Sequence, residues 1–134
     1  MRLLVLGVLL ATPFMVGCGR DDDRARVEAV TEHFFGALAS DDGAQACAQL
    51  TDSTVQALEQ EEQSDCSDAV GRLQLSEGAP RSVEVFAFNA AVRLDNGATV
   101  FAERTNDGWR IEAAGCRDAG GPPTEIPMDC ELES

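Results

Sequence analysis

The stretch Gly108-Trp109-Arg110-Ile111-Glu112-Ala113-Ala114-Gly115-Cys116 decides how this chain folds. Trp109, Ile111 and Ala113 alternate with Arg110, Glu112 and Ala114, the two-residue period of a half-buried strand. The stretch holds the only tryptophan, the largest apolar side chain open to a small core. Trp109 shares its face with Ile111 and Ala113, so that face is expected to meet the rest of the core. The segment reads as the last strand of a sheet, and it ends in a cysteine.

Working back from it, Asn106-Asp107-Gly108 is a turn, preceded by Val100 and Ala102 alternating with Thr99, Phe101 and Glu103. Asp95-Asn96-Gly97 is a strong hairpin signal, because Asn-Gly readily takes the positive φ angles of a tight turn. Before it come Ala90, Val92 and Leu94, and before those Val83, Val85 and Ala87 alternating with Glu84, Phe86 and Phe88. Three or four antiparallel strands in a meander are expected. Phe86, Phe88 and Phe101 fall out of phase with several valines, so either a strand carries a bulge or both sheet faces are partly covered. Phe86, Phe101 and Trp109 are the candidates for a filled core or for the lining of a pocket.

Farther upstream the period changes to that of helices. Over residues 24–39, Val27, Val30, Phe34 and Leu38 share one face, flanked by Thr31 and Phe35. Ser40-Asp41-Asp42-Gly43 stops this helix, with Gly43 suited to the left-handed conformation that follows a helix. The one histidine, His33, lies away from the apolar face and reads as a surface residue. Residues 44–50 form a short second helix carrying Cys47. Ser53-Thr54-Val55-Gln56 has capping-box spacing and opens a third helix through about Glu62, with Glu59, Glu61 and Glu62 on its wet face. A fourth runs over residues 66–73, starting near Ser64 or Asp65. The fold class is therefore α+β, with N-terminal helices packed on one face of an antiparallel sheet of three to four strands. In the tail, residues 117–134, Gly120, Gly121, Pro122, Pro123 and Pro127 work against regular structure, and Cys130 pins it back.

At 134 residues there is room for one domain. All ten basic residues are Arg, against 24 acids, for a formal net charge of −14. That balance argues against nucleic acid, which needs a basic face, and against a polybasic membrane patch. It suits a protein kept soluble by its charge.

The N-terminus carries an address. Met1-Arg2 is a minimal basic region, and Leu3 to Val16 is almost wholly apolar, too short for a comfortable span of ~20 residues but right for a secretory signal. It ends in Met15-Val16-Gly17-Cys18, which resembles the bacterial lipobox, with Met15 where leucine is usual. The resemblance implies that Cys18 receives a diacylglycerol and becomes the mature N-terminus. The expected organisation is a lipoprotein signal peptide over 1–17, an acidic tether over 18–23 containing Asp21-Asp22-Asp23, the α+β domain over 24–116 and the irregular tail over 117–134. The tether's carboxylates would also favour the positive end of the following helix. The expected location is the cell membrane, lipid-anchored and facing the extracytoplasmic side.

Removing Cys18 from five cysteines leaves four, which allow three pairings. An exported domain of this size gains from oxidising them. Local order favours Cys47 with Cys66 and Cys116 with Cys130. No pair has close C-x-x-C spacing, so a metal site is not expected, and no cofactor is implied. No hydrolase elbow, phosphate loop or dinucleotide fingerprint is present.

The lipobox at Cys18, Ala46-Cys47, the run from Asp107-Gly108-Trp109-Arg110-Ile111 into Cys116, and Asp129-Cys130-Glu131 resemble the small cysteine-containing lipoproteins of actinobacteria. Met128 stands where those relatives often carry an aromatic residue. The helix-then-sheet order is also similar to the nuclear transport factor two-like cone, a helix-lined curved sheet with a pocket. That fold hosts enzymes, binders and scaffolds alike. The favoured expectation is a non-enzymatic, membrane-anchored domain that binds a protein or small-molecule ligand. The alternatives are a small enzyme using Glu84 or Glu103 in an apolar pocket, and a purely structural envelope protein.

Overall fold

The helices form where apolar residues recur at helical spacing, and each is anchored by contacts that reach across the chain. The computed structural model describes residues 19–118 and 128–134. The expected signal peptide, Cys18 and the glycine- and proline-rich centre of the tail lie outside them.

The first helix, α1 (Arg20–Ala39), buries Val27, Val30, Thr31, Phe34 and Phe35. Thr31 tolerates burial because its hydroxyl donates to the Val27 carbonyl at 2.9 Å. The helix begins at Arg20 rather than at residue 24. Asp21, Asp22 and Asp23 form its first turn, where carboxylates meet the positive end of the helix dipole, and are not an extended linker.

The second helix is α2 (Gly43–Ala48), opened by Asp42, whose carboxylate accepts from the Gln45 N–H at 3.1 Å. The left-handed residue after α1 is Asp41, at φ 54°, not Gly43. Gly43 is needed for another reason: a Cβ there would collide with the Ser67 backbone. α3 (Asp52–Glu62) is capped by Thr51 rather than by Ser53, with Thr51 Oγ1 accepting from the Thr54 N–H at 3.2 Å. Thr54 Oγ1 in turn donates to the Glu112 carbonyl at 2.9 Å, so a sheet contact selects the cap. α4 (Cys66–Val70) is shorter than its apolar pattern predicts. Glu59, expected on the wet face of α3, accepts from the Cys66 N–H at 3.0 Å and closes the start of α4.

The sheet is an antiparallel meander in chain order: β1 (Pro80–Phe86), β2 (Asn89–Leu94), β3 (Thr99–Thr105), β4 (Gly108–Asp118) and β5 (Met128–Asp129). The described residues thus hold five strands where three or four were expected; the extra one is a two-residue strand from the tail. Ala90, Val92, Leu94, Val100, Ala102, Trp109 and Ile111 are buried on the face toward the helices, with Val83 and Val85 packed at its margin. Register shifts on either side of Phe101, in the β3–β4 pairing, account for the broken alternation there.

Three segments cover the far edge of β4. The link between α2 and α3 exchanges backbone hydrogen bonds with Ile111, Thr51 donating at 2.9 Å and Gln49 accepting at 2.8 Å. Ala114 bridges Leu132, which is buried, and β5 pairs with Arg117 and Asp118. An unpaired edge is thereby protected. Two disulfides staple the fold. Cys47–Cys66 ties α2 to α4, and Cys116–Cys130 ties β4 to the tail. In the chain-entropy picture each contributes about 3 kcal/mol.

Candidate functional site

Both faces of β1 and β3 bear on the site residues proposed from sequence. The register aligns Phe86 with Asn89 and Glu103, and Glu84 with Ala91 and Phe101. These rows lie on the face turned away from the helices. Phe86 is accordingly 59 % exposed and belongs neither to the core nor to a pocket lining, because no second layer covers that face of β1. Phe101 is half-buried on the same face, beside Glu112, Ala113 and the C-terminal residues Cys130, Glu133 and Ser134. Trp109 alone of the three sits in the core, 4 % exposed on the inner face. Glu84 and Glu103 stand in solvent on the outer face, away from the apolar interior that an acid or base role would require. A cleft of about 210 Å³ lies elsewhere, where Leu38 and Asp42 face Val70 and Leu75.

The residues that converge are at the end of the domain where α1 begins. Asp23, in the first turn, is largely shielded, its side chain 15 % exposed. Its Oδ1 accepts from the Trp109 indole N–H at 3.1 Å and its Oδ2 lies 3.5 Å from the Arg104 guanidinium. Arg104 and Trp109 are paired across β3 and β4, so one carboxylate clamps the helix start to both strands. The indole N–H of a buried Trp requires such a partner. The Arg104 backbone N–H donates at 2.7 Å to the carbonyl of Phe88, which carries the contact on to the β1–β2 turn.

That turn departs from ordinary turn chemistry. Phe86 pairs with Asn89, leaving Ala87 and Phe88 as the connecting residues. Ala87 has φ 52°, a left-handed conformation that costs a non-glycine residue about 1–2 kcal/mol. Phe88 is 68 % exposed, and it and Phe86 are the large apolar side chains that stand exposed among the described residues. The other two hairpins obey the rules: Gly97 and Gly108 take the positive φ values, and polar side chains brace both turns. The meeting of Asp23 with Arg104 and Trp109 carried no sequence signal, since the three come together only in three dimensions. The tip had one: two Phe around an Ala, with no Gly, Asn, Asp or Pro between the strands.

Comparison of the chain with protein families, with curated proteins and with solved structures finds no match.

Proposed function

We propose that this protein is a membrane-anchored extracytoplasmic lipoprotein whose domain binds or presents to a partner rather than catalysing a reaction. The observation that carries the reading is the sequence Met15-Val16-Gly17-Cys18 at the end of an apolar leader, which resembles a lipobox. Two disulfides in a domain of this size support an oxidising compartment. The helices-then-meander order supports kinship with the actinobacterial lipoproteins and with the cone-like, nuclear transport factor two-like fold. A diacylated cysteine holds a protein firmly at a bilayer, where a single chain holds it marginally.

The test is Cys18→Ala in cells that process lipoproteins. The variant should leave the membrane fraction, and labelled fatty acid should no longer enter the protein. A Cys18→Ala chain that still sediments with membranes in high salt would remove the lipid anchor from the account.

A further inference from the structure

We infer that the β1–β2 tip, Phe86-Ala87-Phe88, is a second membrane contact that dips into the bilayer interface and sets the orientation of the domain on its anchor. The inference rests on the proposed lipidation of Cys18 and adds to it a stated surface and pose.

Three observations carry it. The first is the length of chain between anchor and fold. Helix α1 starts at Arg20, and two peptide units reach about 7 Å. A lipid on Cys18 therefore leaves no slack, and the first turn of α1 must lie at the membrane surface. The second is position. Asp23 in that turn binds Trp109 and Arg104, and Arg104 binds the Phe88 carbonyl. The exposed phenylalanines thus project from the end of the domain that the anchor draws to the bilayer. The β2–β3 turn at Asn96 and Gly97 is at the opposite end of the strands.

The third is chemistry. The chain's charge of −14 gives no attraction to an anionic leaflet, so a second contact must be apolar. Two protruding Phe rings supply that, and aromatic residues favour the interfacial region. A protein partner fits the tip less well. The tip is flanked by exposed Glu84, Asn89 and Glu103. That leaves little apolar surface beside the rings, far from the ~800 Å² per partner of a stable interface. The β3–β4 turn at the same end is polar, with exposed Asn106 and Asp107, and would rest among headgroups while the edge hairpin enters more deeply.

The experiment uses the lipidated full chain, purified from bacterial membranes and reconstituted into vesicles of phosphatidylethanolamine and phosphatidylglycerol. The acyl chains carry bromine near the headgroup to quench tryptophan. Phe88→Trp adds an emitter at the tip, and Arg93→Trp adds one toward the other end of β2; both positions are exposed. Wild type supplies the Trp109 baseline. The added emission of Phe88→Trp should fall to roughly half, as for a side chain about 5–10 Å into the interface, while that of Arg93→Trp is unchanged. An unquenched Phe88→Trp in a vesicle-bound chain overturns the inference, leaves the anchor intact and assigns the tip to a protein partner. Equal quenching at both positions overturns the pose. A chain whose N-terminal peptide shows no lipid by mass spectrometry, and which stays off the vesicles, defeats the inference and the lipoprotein reading together.

Discussion

The two ends of the sheet are built by different rules. At the β2–β3 turn, Gly97 takes the positive φ, and Asn96 reaches back to the carbonyls of Ser76 and Glu77 at 3.1 and 3.0 Å. Its Oδ1 also accepts from the Ala98 N–H at 2.9 Å. Both ends of the Asn96 amide serve the fold. At the β1–β2 turn, an alanine occupies the left-handed region and two Phe rings face solvent. Nothing in the packing rewards either choice. The difference teaches that local consistency marks the parts of a chain selected for folding, and local violation marks a part answering to something else.

Five variants can break or sharpen this contrast. The largest effect should come from Trp109→Ala, which empties the core beneath the start of α1 and deprives Asp23 of a donor. A loss of about 3–5 kcal/mol is expected, read as the midpoint of urea unfolding with the disulfides intact. An unchanged midpoint would show that Trp109 is not a core anchor. Next is the Cys47→Ser/Cys66→Ser pair, which should cost about 3 kcal/mol by the same readout. A near-zero change would mean that α2 and α4 stay docked without their staple.

Asn96→Ala should cost about 1–2 kcal/mol, since it removes three hydrogen bonds of ordinary worth from a half-exposed site. If it costs nothing, the ordered end of the sheet is no more braced than the other. The smallest effects belong to the tip. Phe86→Ser with Phe88→Ser should stay within about 0.5 kcal/mol of wild type, and Ala87→Gly should stabilise by ~1 kcal/mol through relief of the left-handed alanine. A loss above about 2 kcal/mol in the Phe pair would place the rings in the fold's own packing and erase the contrast.

Much of the architecture was legible before any coordinate. The helical spacing of Val27, Val30 and Phe34 and the alternation of Trp109 and Ile111 read correctly, as did the Asn-Gly hairpin, because each signal is contained within a few neighbouring residues. The disulfides followed chain order, each cysteine pairing with its neighbour in sequence among the four. Two of the misreadings lie where a distant partner intervenes. Thr51 displaced Ser53 as a cap because Thr54 is held to the Glu112 carbonyl. The Asp run joined α1, where Asp23 meets the indole of Trp109 86 positions away.

The sequence alone therefore determined the class of the fold, the number and order of the helices among the described residues, and the staples. Period, turn chemistry and cysteine spacing are short-range properties of the chain. Only the tertiary structure decided which end of the sheet the start of α1 meets, and that Phe86 lies on the uncovered face while Trp109 lies beneath a helix. Trp109 alternates with Arg110 and Glu112, whereas Phe86 alternates with Val83 and Val85 and shares its face with Glu84. What fixes their fates is the single layer of helices, which covers one face of the sheet and leaves the other to solvent; the phase of Phe86 against the valines left open whether a second layer covers its face, and only the packing shows that none does.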